Sequence, residues 1–138
     1  MRDSFDVTQD VRSLLNVSAI TTILGTDGKI FQTERVAGRS LMTDLVINCL
    51  GVTITTLQKG AGNVNCYVPT ITSGSAKIAD QNKMMILSRA VIAAINEKYT
   101  TNFQTWVEDT PTIVQDTDGT YFVNVQFRYQ AVNNYKNI

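Results

Sequence analysis

The side chains with reactive potential are serines, threonines, two cysteines and twelve carboxylates, and the chain has no histidine to work with them. A hydroxyl or thiol nucleophile near neutral pH needs a base beside it, and histidine is the side chain whose ordinary pKa lies there. Its absence removes Ser–His and Cys–His catalysis, the zincins and the zinc deaminases. A Ser–Lys pair would remain possible, but no Ser-x-x-Lys spacing occurs. Cys49 and Cys66 are too far apart for a C-x-x-C redox motif, and no further Cys or His could complete a zinc site. They read as small buried hydrophobes, with a disulfide open to them only if their strands pair and the compartment is oxidising.

The carboxylates offer little more. Glu108-Asp109 is an adjacent pair, and Asp116-Thr117-Asp118-Gly119 has the opening spacing of a calcium loop. The distal bidentate Glu is missing and strand-forming residues follow, so this segment reads as a hairpin turn. Gly60-Ala61-Gly62 and Gly28-Lys29 fail as phosphate loops, because no Gly-Lys-Ser/Thr follows either. The expectation is a protein without catalytic residues, metal or cofactor: not an enzyme.

Twelve Lys/Arg balance twelve Asp/Glu in 138 residues, a length that suits one domain. Neutrality argues against a non-specific nucleic-acid binder, which needs cations to displace phosphate counterions. The balance is not uniform along the chain. Five basic residues (Lys59, Lys77, Lys83, Arg89 and Lys98) face only Asp80 and Glu97, whereas residues 108–118 carry four acids and no base. The densest apolar stretch, Met84 to Ile95, is broken by Ser88 and Arg89, and the first residues lack a signal-peptide pattern. No membrane association is expected, and the expected compartment is the cytoplasm or a particle assembled there.

The elements that would position these residues are legible from periodicity. Val7, Val11, Leu14 and Leu15 share one helical face, and Asp6 with Gln9 resembles a capping box, so a short helix is expected from Asp6 to Leu15. Ser18 is expected to cap a further turn that Gly25 ends. A short strand, Lys29–Thr33, precedes a polar loop holding Arg35 and Arg39. Asp44–Leu50 alternates, with Leu45, Ile47 and Cys49 on one face; Asn63–Val68 alternates likewise, with Gly60-Ala61-Gly62 before it as a turn or bulge. Residues 70–79 have loop composition. Asp80 is expected to cap one long helix reaching about Lys98, and a final hairpin turns at Asp116–Gly119. Tyr121, Val123, Val125, Phe127, Tyr129 and Ala131 line one face of its last strand; Phe122, Asn124, Gln126, Arg128 and Gln130 line the other. These elements predict an α+β domain over 1–138: a mainly antiparallel sheet, one long helix on one face, a short N-terminal helix, and a frayed tail from about 133.

The ordered series of the opening helix, Asp44-Leu-Val-Ile-Asn-Cys-Leu50, Asn63-Val-Asn-Cys-Tyr-Val-Pro69, the long helix and Gln115-Asp-Thr-Asp-Gly119 before Tyr121–Tyr129 resembles the tail terminator (tail completion) and neck proteins of long-tailed bacteriophages. The resemblance covers most of the chain and rests on element order, with no short signature motif. It implies a structural virion protein located in the tail or neck and assembled in the host cytoplasm. Its subunits would form a homo-oligomeric ring, commonly a hexamer, that caps the tail tube and joins tail to head. Its partners would be itself, tail-tube proteins and head-connector proteins, with no sequence-specific nucleic acid. On that reading Arg35, Arg39, Lys77, Lys83, Phe122 and Arg128 are the expected subunit-interface or docking residues. Loops 34–43 and 70–79 are the expected docking elements, flexible before assembly. Another connector or tail-tube subunit, or a small non-viral binding or regulatory domain with a ligand between sheet and helix, stays open as an alternative.

Overall fold

A computed structural model describes residues 1–132 of the chain, and the expected frayed tail lies outside the described residues. Helix α1 (Ser4–Leu15) begins earlier than periodicity alone indicates. Asp3 is the N-cap: its Oδ1 accepts the Asp6 amide, and Asp6 Oδ2 accepts the Asp3 amide, both at 3.0 Å. The capping box is therefore Asp3 with Asp6, rather than Asp6 with Gln9. Helix α2 (Ser18–Leu24) has Val17 at its N-cap and no side-chain cap, so Ser18 does not play the expected part. Gly25 ends it in a positive-φ conformation.

The sheet strands are β1 (Ile30–Gln32), β2 (Asp44–Val52), β3 (Leu57–Val68), β6 (Lys98–Tyr99), β7 (Phe103–Val107), β8 (Thr112–Gln115) and β9 (Tyr121–Val132). They form one mixed sheet of seven strands in the order β1-β2-β3-β9-β7-β6, with β8 also on β9. Among the described strands only the β1–β2 pair is parallel. Strands β3 and β9 pair along their whole lengths, Leu57 opposite Val132 to Val68 opposite Tyr121, and form the sheet's spine.

Gly60-Ala61-Gly62 does not turn the chain; it lies inside β3, and the bulge falls across the pair at Cys49/Gly51. The glycine is required by close approach. A Cβ on Gly62 would run into the Asn48 carbonyl oxygen and the buried ring of Phe127.

Segment 70–79, expected as a loop, forms a separate hairpin of β4 (Ile71–Ser73) and β5 (Ala76–Ile78). Gly74 at φ 63° supplies the positive-φ first position of a two-residue Gly-Ser connection. Helix α3 (Gln81–Ile95) is capped by Asp80, whose carboxylate accepts the Lys83 amide. It stops at Ile95, short of Lys98, and at 15 residues is ~22 Å long. Two contacts explain the stop: Thr105 Oγ1 donates to the Ile95 carbonyl at 2.7 Å, and Asn96 Oδ1 accepts the Val107 amide at 2.9 Å. Glu97, at φ 53°, then reverses the chain into β6.

All three helices lie on one side of the sheet. Val7, Val11, Leu15, Ile20, Met84, Leu87, Val91 and Ile95 meet Leu45, Ile47, Val64, Cys66, Val125 and Phe127 in a single core. The expected alternation of β9 is the pattern observed, with Val123 to Ala131 buried on the helix side. The fold is α+β, as the order of elements predicts. Two polar ties close the core's margin. The Tyr129 hydroxyl donates to Asp10 Oδ2 at 2.5 Å, where Arg2 Nη1 also sits at 3.0 Å. Buried Gln58 accepts the Arg2 amide and donates to the Arg2 and Thr53 carbonyls, binding the N-terminus to the β2–β3 connection.

Candidate subunit-contact surface

Because the helices occupy one side, the other face of the sheet carries none of them, and its residues are those that alternate with the core. Cross-strand register places Asn48 beside Asn63 and Asn63 beside Gln126, and in the next row Asn65 beside Asn124. Asn48 Nδ2 donates to Asn63 Oδ1 at 3.2 Å, and Asn124 Nδ2 to Asn65 Oδ1 at 2.7 Å. Tyr67 and Phe122, directly opposite each other, hold their ring centroids 4.9 Å apart. Arg128, opposite both Ala61 and Trp106, pairs with Glu108 at 2.5 Å. The face is thus a half-exposed patchwork of amides and aromatic rings with one solvent-facing ion pair.

Segment 33–43 crosses this face to link the parallel strands β1 and β2. Thr33 keeps its amide on the Ile47 carbonyl at 2.8 Å, and its φ of 74° then turns the chain away from the sheet edge. A β-branched residue in that conformation is strained. Asp44, the first residue of β2, is fully buried. Its Oδ2 accepts Arg35 Nε and Arg39 Nε, and its Oδ1 accepts Arg39 Nη2, all at 2.8 Å; Oδ1 also takes the Lys29 amide at 2.9 Å. Arg35 donates onward to the Arg39 and Met42 carbonyls and lies over the Tyr67 ring, 4.3 Å from its centroid. Burial alone would raise the Asp44 carboxyl; the Arg39 and Arg35 hydrogen bonds and the Lys29 amide outweigh it and hold the group below the usual carboxylate range. Arg35 and Arg39 therefore pin the loop onto the sheet. Loop 34–43, expected to be flexible before assembly, has this internal tether.

Between the loop, the sheet face and the β8–β9 turn lies a groove of about 480 Å³, lined by Glu34, Arg35, Val36, Tyr67, Asp116 and Asp118 among others. Asp118 accepts the Thr120 hydroxyl and amide, which hold its carboxyl below the usual range. Burial raises the Tyr67 phenol, and Asp116 adds to the rise.

The six residues expected at interfaces are scattered by the fold. Arg35 and Arg39 meet on Asp44. Phe122 lies against Tyr67, the two rings tilted by 36°, at the same end of the helix-free face, whereas Arg128 lies further along β9 with Glu108. Lys77 stands on the exposed β4–β5 hairpin, and Lys83 lies in the first turn of α3. The Asp44 cluster does not follow from the sequence patterns above, in which Asp44 only opens a strand. An acid heading the run Leu-Val-Ile, with arginines five and nine positions upstream, was the available signal.

Among the described residues, no group of three His, Cys, Asp or Glu side chains is placed to hold a metal ion. Nor do the cysteines pair. Cys49 sits opposite Gly62 and Cys66 opposite Leu45, a stagger of four residues, or about 13 Å along the strands, well beyond disulfide reach. Burial raises both thiols, Cys66 far more than Cys49. Apolar side chains fill the centre of the sheet–helix layer, while at its β1 edge a groove of about 550 Å³, lined by Gln9, Arg12, Thr21, Leu24, Phe31 and Gln32 among others, stays open between α1, α2 and the sheet. No protein-family model matches the chain, and no curated protein matches it.

Proposed function

We propose that this protein is a structural subunit of a bacteriophage tail or neck. In this reading it forms a homo-oligomeric ring that caps the tail tube and joins it to the head. The observation that carries the reading is the one-sided sheet: a seven-strand surface armoured by helices on one side and left as amides, Tyr67, Phe122, Trp106 and Arg128 on the other. Such a mixture of aromatic, amide and arginine groups suits the core and rim of a protein–protein contact. The resemblance drawn from the sequence supports the same reading. The loop locked by Asp44 adds a preformed wall to that surface, so little order has to be created on binding.

The test is the mass of the native assembly together with its place in a particle. Native mass spectrometry of concentrated protein should show a closed oligomer, and electron microscopy should show rings on the ends of isolated tail tubes. A strict monomer that leaves tail tubes bare would overturn the reading.

A further inference from the structure

Among the described residues, the β4–β5 hairpin is the one pair of strands outside the main sheet, and every residue from Ile71 to Ile78 is exposed. Neither strand packs substantially on another element. A two-stranded hairpin of three residues per strand is marginal in water without a packing partner. This one also presents an apolar pair to solvent: Ile71 and Ile78, directly opposite each other, are 46% and 43% exposed. Lys77, on the same strand as Ile78, has no ion-pair partner among the described residues.

The groove described above has the complementary character. Its lining carries the carboxylates of Glu34, Asp116 and Asp118, while its two arginines are turned down onto buried Asp44. Asp44 answers one of those two charges, so the groove keeps an acidic excess. Its rim also offers Val36, 64% exposed, as an apolar contact. Hairpin and groove leave the sheet at the same end, where Tyr67 and Val68 finish β3 and Pro69-Thr70 lead into β4.

We infer that the β4–β5 hairpin is an assembly arm that inserts into this groove on a second copy of this chain, its Thr72–Lys77 face toward Asp116 and Asp118 and its opposite face, with the Ile71–Ile78 pair, toward Val36. Charge complementarity within one sequence selects the occupant: the chain carries both an unpaired cation on an unsupported arm and an acidic groove to receive it. Contact between two different surface patches is heterologous, and a heterologous contact closes into a ring when its rotation allows. The inference rests on the ring reading and names the contact that would build the ring.

Complementation in trans tests it. The full chain is made as Lys77→Glu and, separately, as Asp116→Lys with Asp118→Lys; circular dichroism checks that each folds. Native mass is then measured for the wild type, for each variant, and for an equal mixture. The expected result is a wild-type oligomer, monomer from each variant alone, and recovery of the wild-type mass on mixing. Recovery follows because the arm altered by Lys77→Glu then meets a lysine groove, and the unaltered arm of the other variant meets an acidic one. Variants that assemble like the wild type, or a mixture that stays monomeric while the wild type assembles, would overturn the arm and leave the ring reading standing. A wild type that is monomeric at the highest concentration and also leaves isolated tail tubes bare would overturn both; where rings form only on tail tubes, the same variants and their mixture are scored there, with the same outcomes.

Discussion

Arg39 grips Asp44 through two parallel hydrogen bonds, Nε to Oδ2 and Nη2 to Oδ1, each 2.8 Å, around a carboxylate with no solvent exposure. That geometry is the bidentate fork that a lysine cannot copy. Arg35 supplies the second cation and closes the loop through the Arg39 and Met42 carbonyls. Asp44→Asn should cost about 3–5 kcal/mol, since it leaves two inward-facing guanidinium groups without their anion. Arg39→Lys should cost about 1.5–3 kcal/mol, the scale of lost hydrogen bonds to a charged group. Urea unfolding checks both. Equal midpoints for wild type and Asp44→Asn would show that the cluster does not hold the loop.

Two carboxylates should pull the pH dependence of stability in opposite directions. Asp44 titrates below its ordinary range when folded, so its contribution is complete above the unfolded pKa of ~4 and is lost as the pH falls through the lower folded value. Asp10 is raised by burial, against the opposing pull of Tyr129 and Arg2. The folded state therefore takes up the Asp10 proton first, and this group adds stability as the pH falls from neutral toward ~4. Unfolding midpoints from pH 7 to about 3 should fall less steeply for Asp44→Asn than for wild type. The deficit of Asp10→Asn relative to wild type should widen between pH 7 and about 4.

What was legible in the sequence was whatever repeats with a period. Alternation in β9 and the i, i+4, i+7 spacing of α1 named the buried residues, because a side chain's face follows from its position alone. What escaped was decided across the chain. The Gly60-Ala61-Gly62 segment looks like a turn until Phe127 and the Asn48 carbonyl are placed against Gly62. Helix α3 looks continuous to Lys98 until Thr105 and Val107, ten residues or more away, claim its last carbonyl and Asn96. Lys77 was legible as a charge, whereas its place on an unsupported hairpin required the fold.

Gly62→Ala should be among the most damaging single-methyl additions in the chain. The obstacle on one side is a β2 backbone carbonyl fixed by sheet pairing, and on the other a fully buried ring. A cost of about 3 kcal/mol follows from overpacking a site whose neighbours cannot yield. Ala61→Ser, one position earlier and half-exposed on the helix-free face, should stay within about 0.5 kcal/mol of wild type. Paired denaturant melts of the two variants give the comparison directly.

The cysteines should behave as two independent, slow thiols. Cys66 is fully buried with its thiol strongly raised, so it should resist an aromatic disulfide reagent until the protein unfolds. Cys49, partly exposed and less perturbed, should react first. Oxidation of the folded protein should yield no intramolecular disulfide, as peptide mapping without reductant would reveal.

The Arg128–Glu108 pair separates stability from assembly. Its side chains are 49% and 35% exposed, and solvent screening reduces such a pair to about 0–1 kcal/mol despite the short contact. Arg128→Ala should therefore leave the urea midpoint nearly unchanged. On the proposed contact face, however, the same guanidinium would be desolvated by a neighbouring subunit, where arginine anchors carry much of an interface's energy. The variant should then weaken self-association at least tenfold while folding normally, measured by sedimentation velocity over a concentration series. Unchanged association with unchanged folding would remove the Arg128 region from the contact surface and confine assembly to the Tyr67 end of the face.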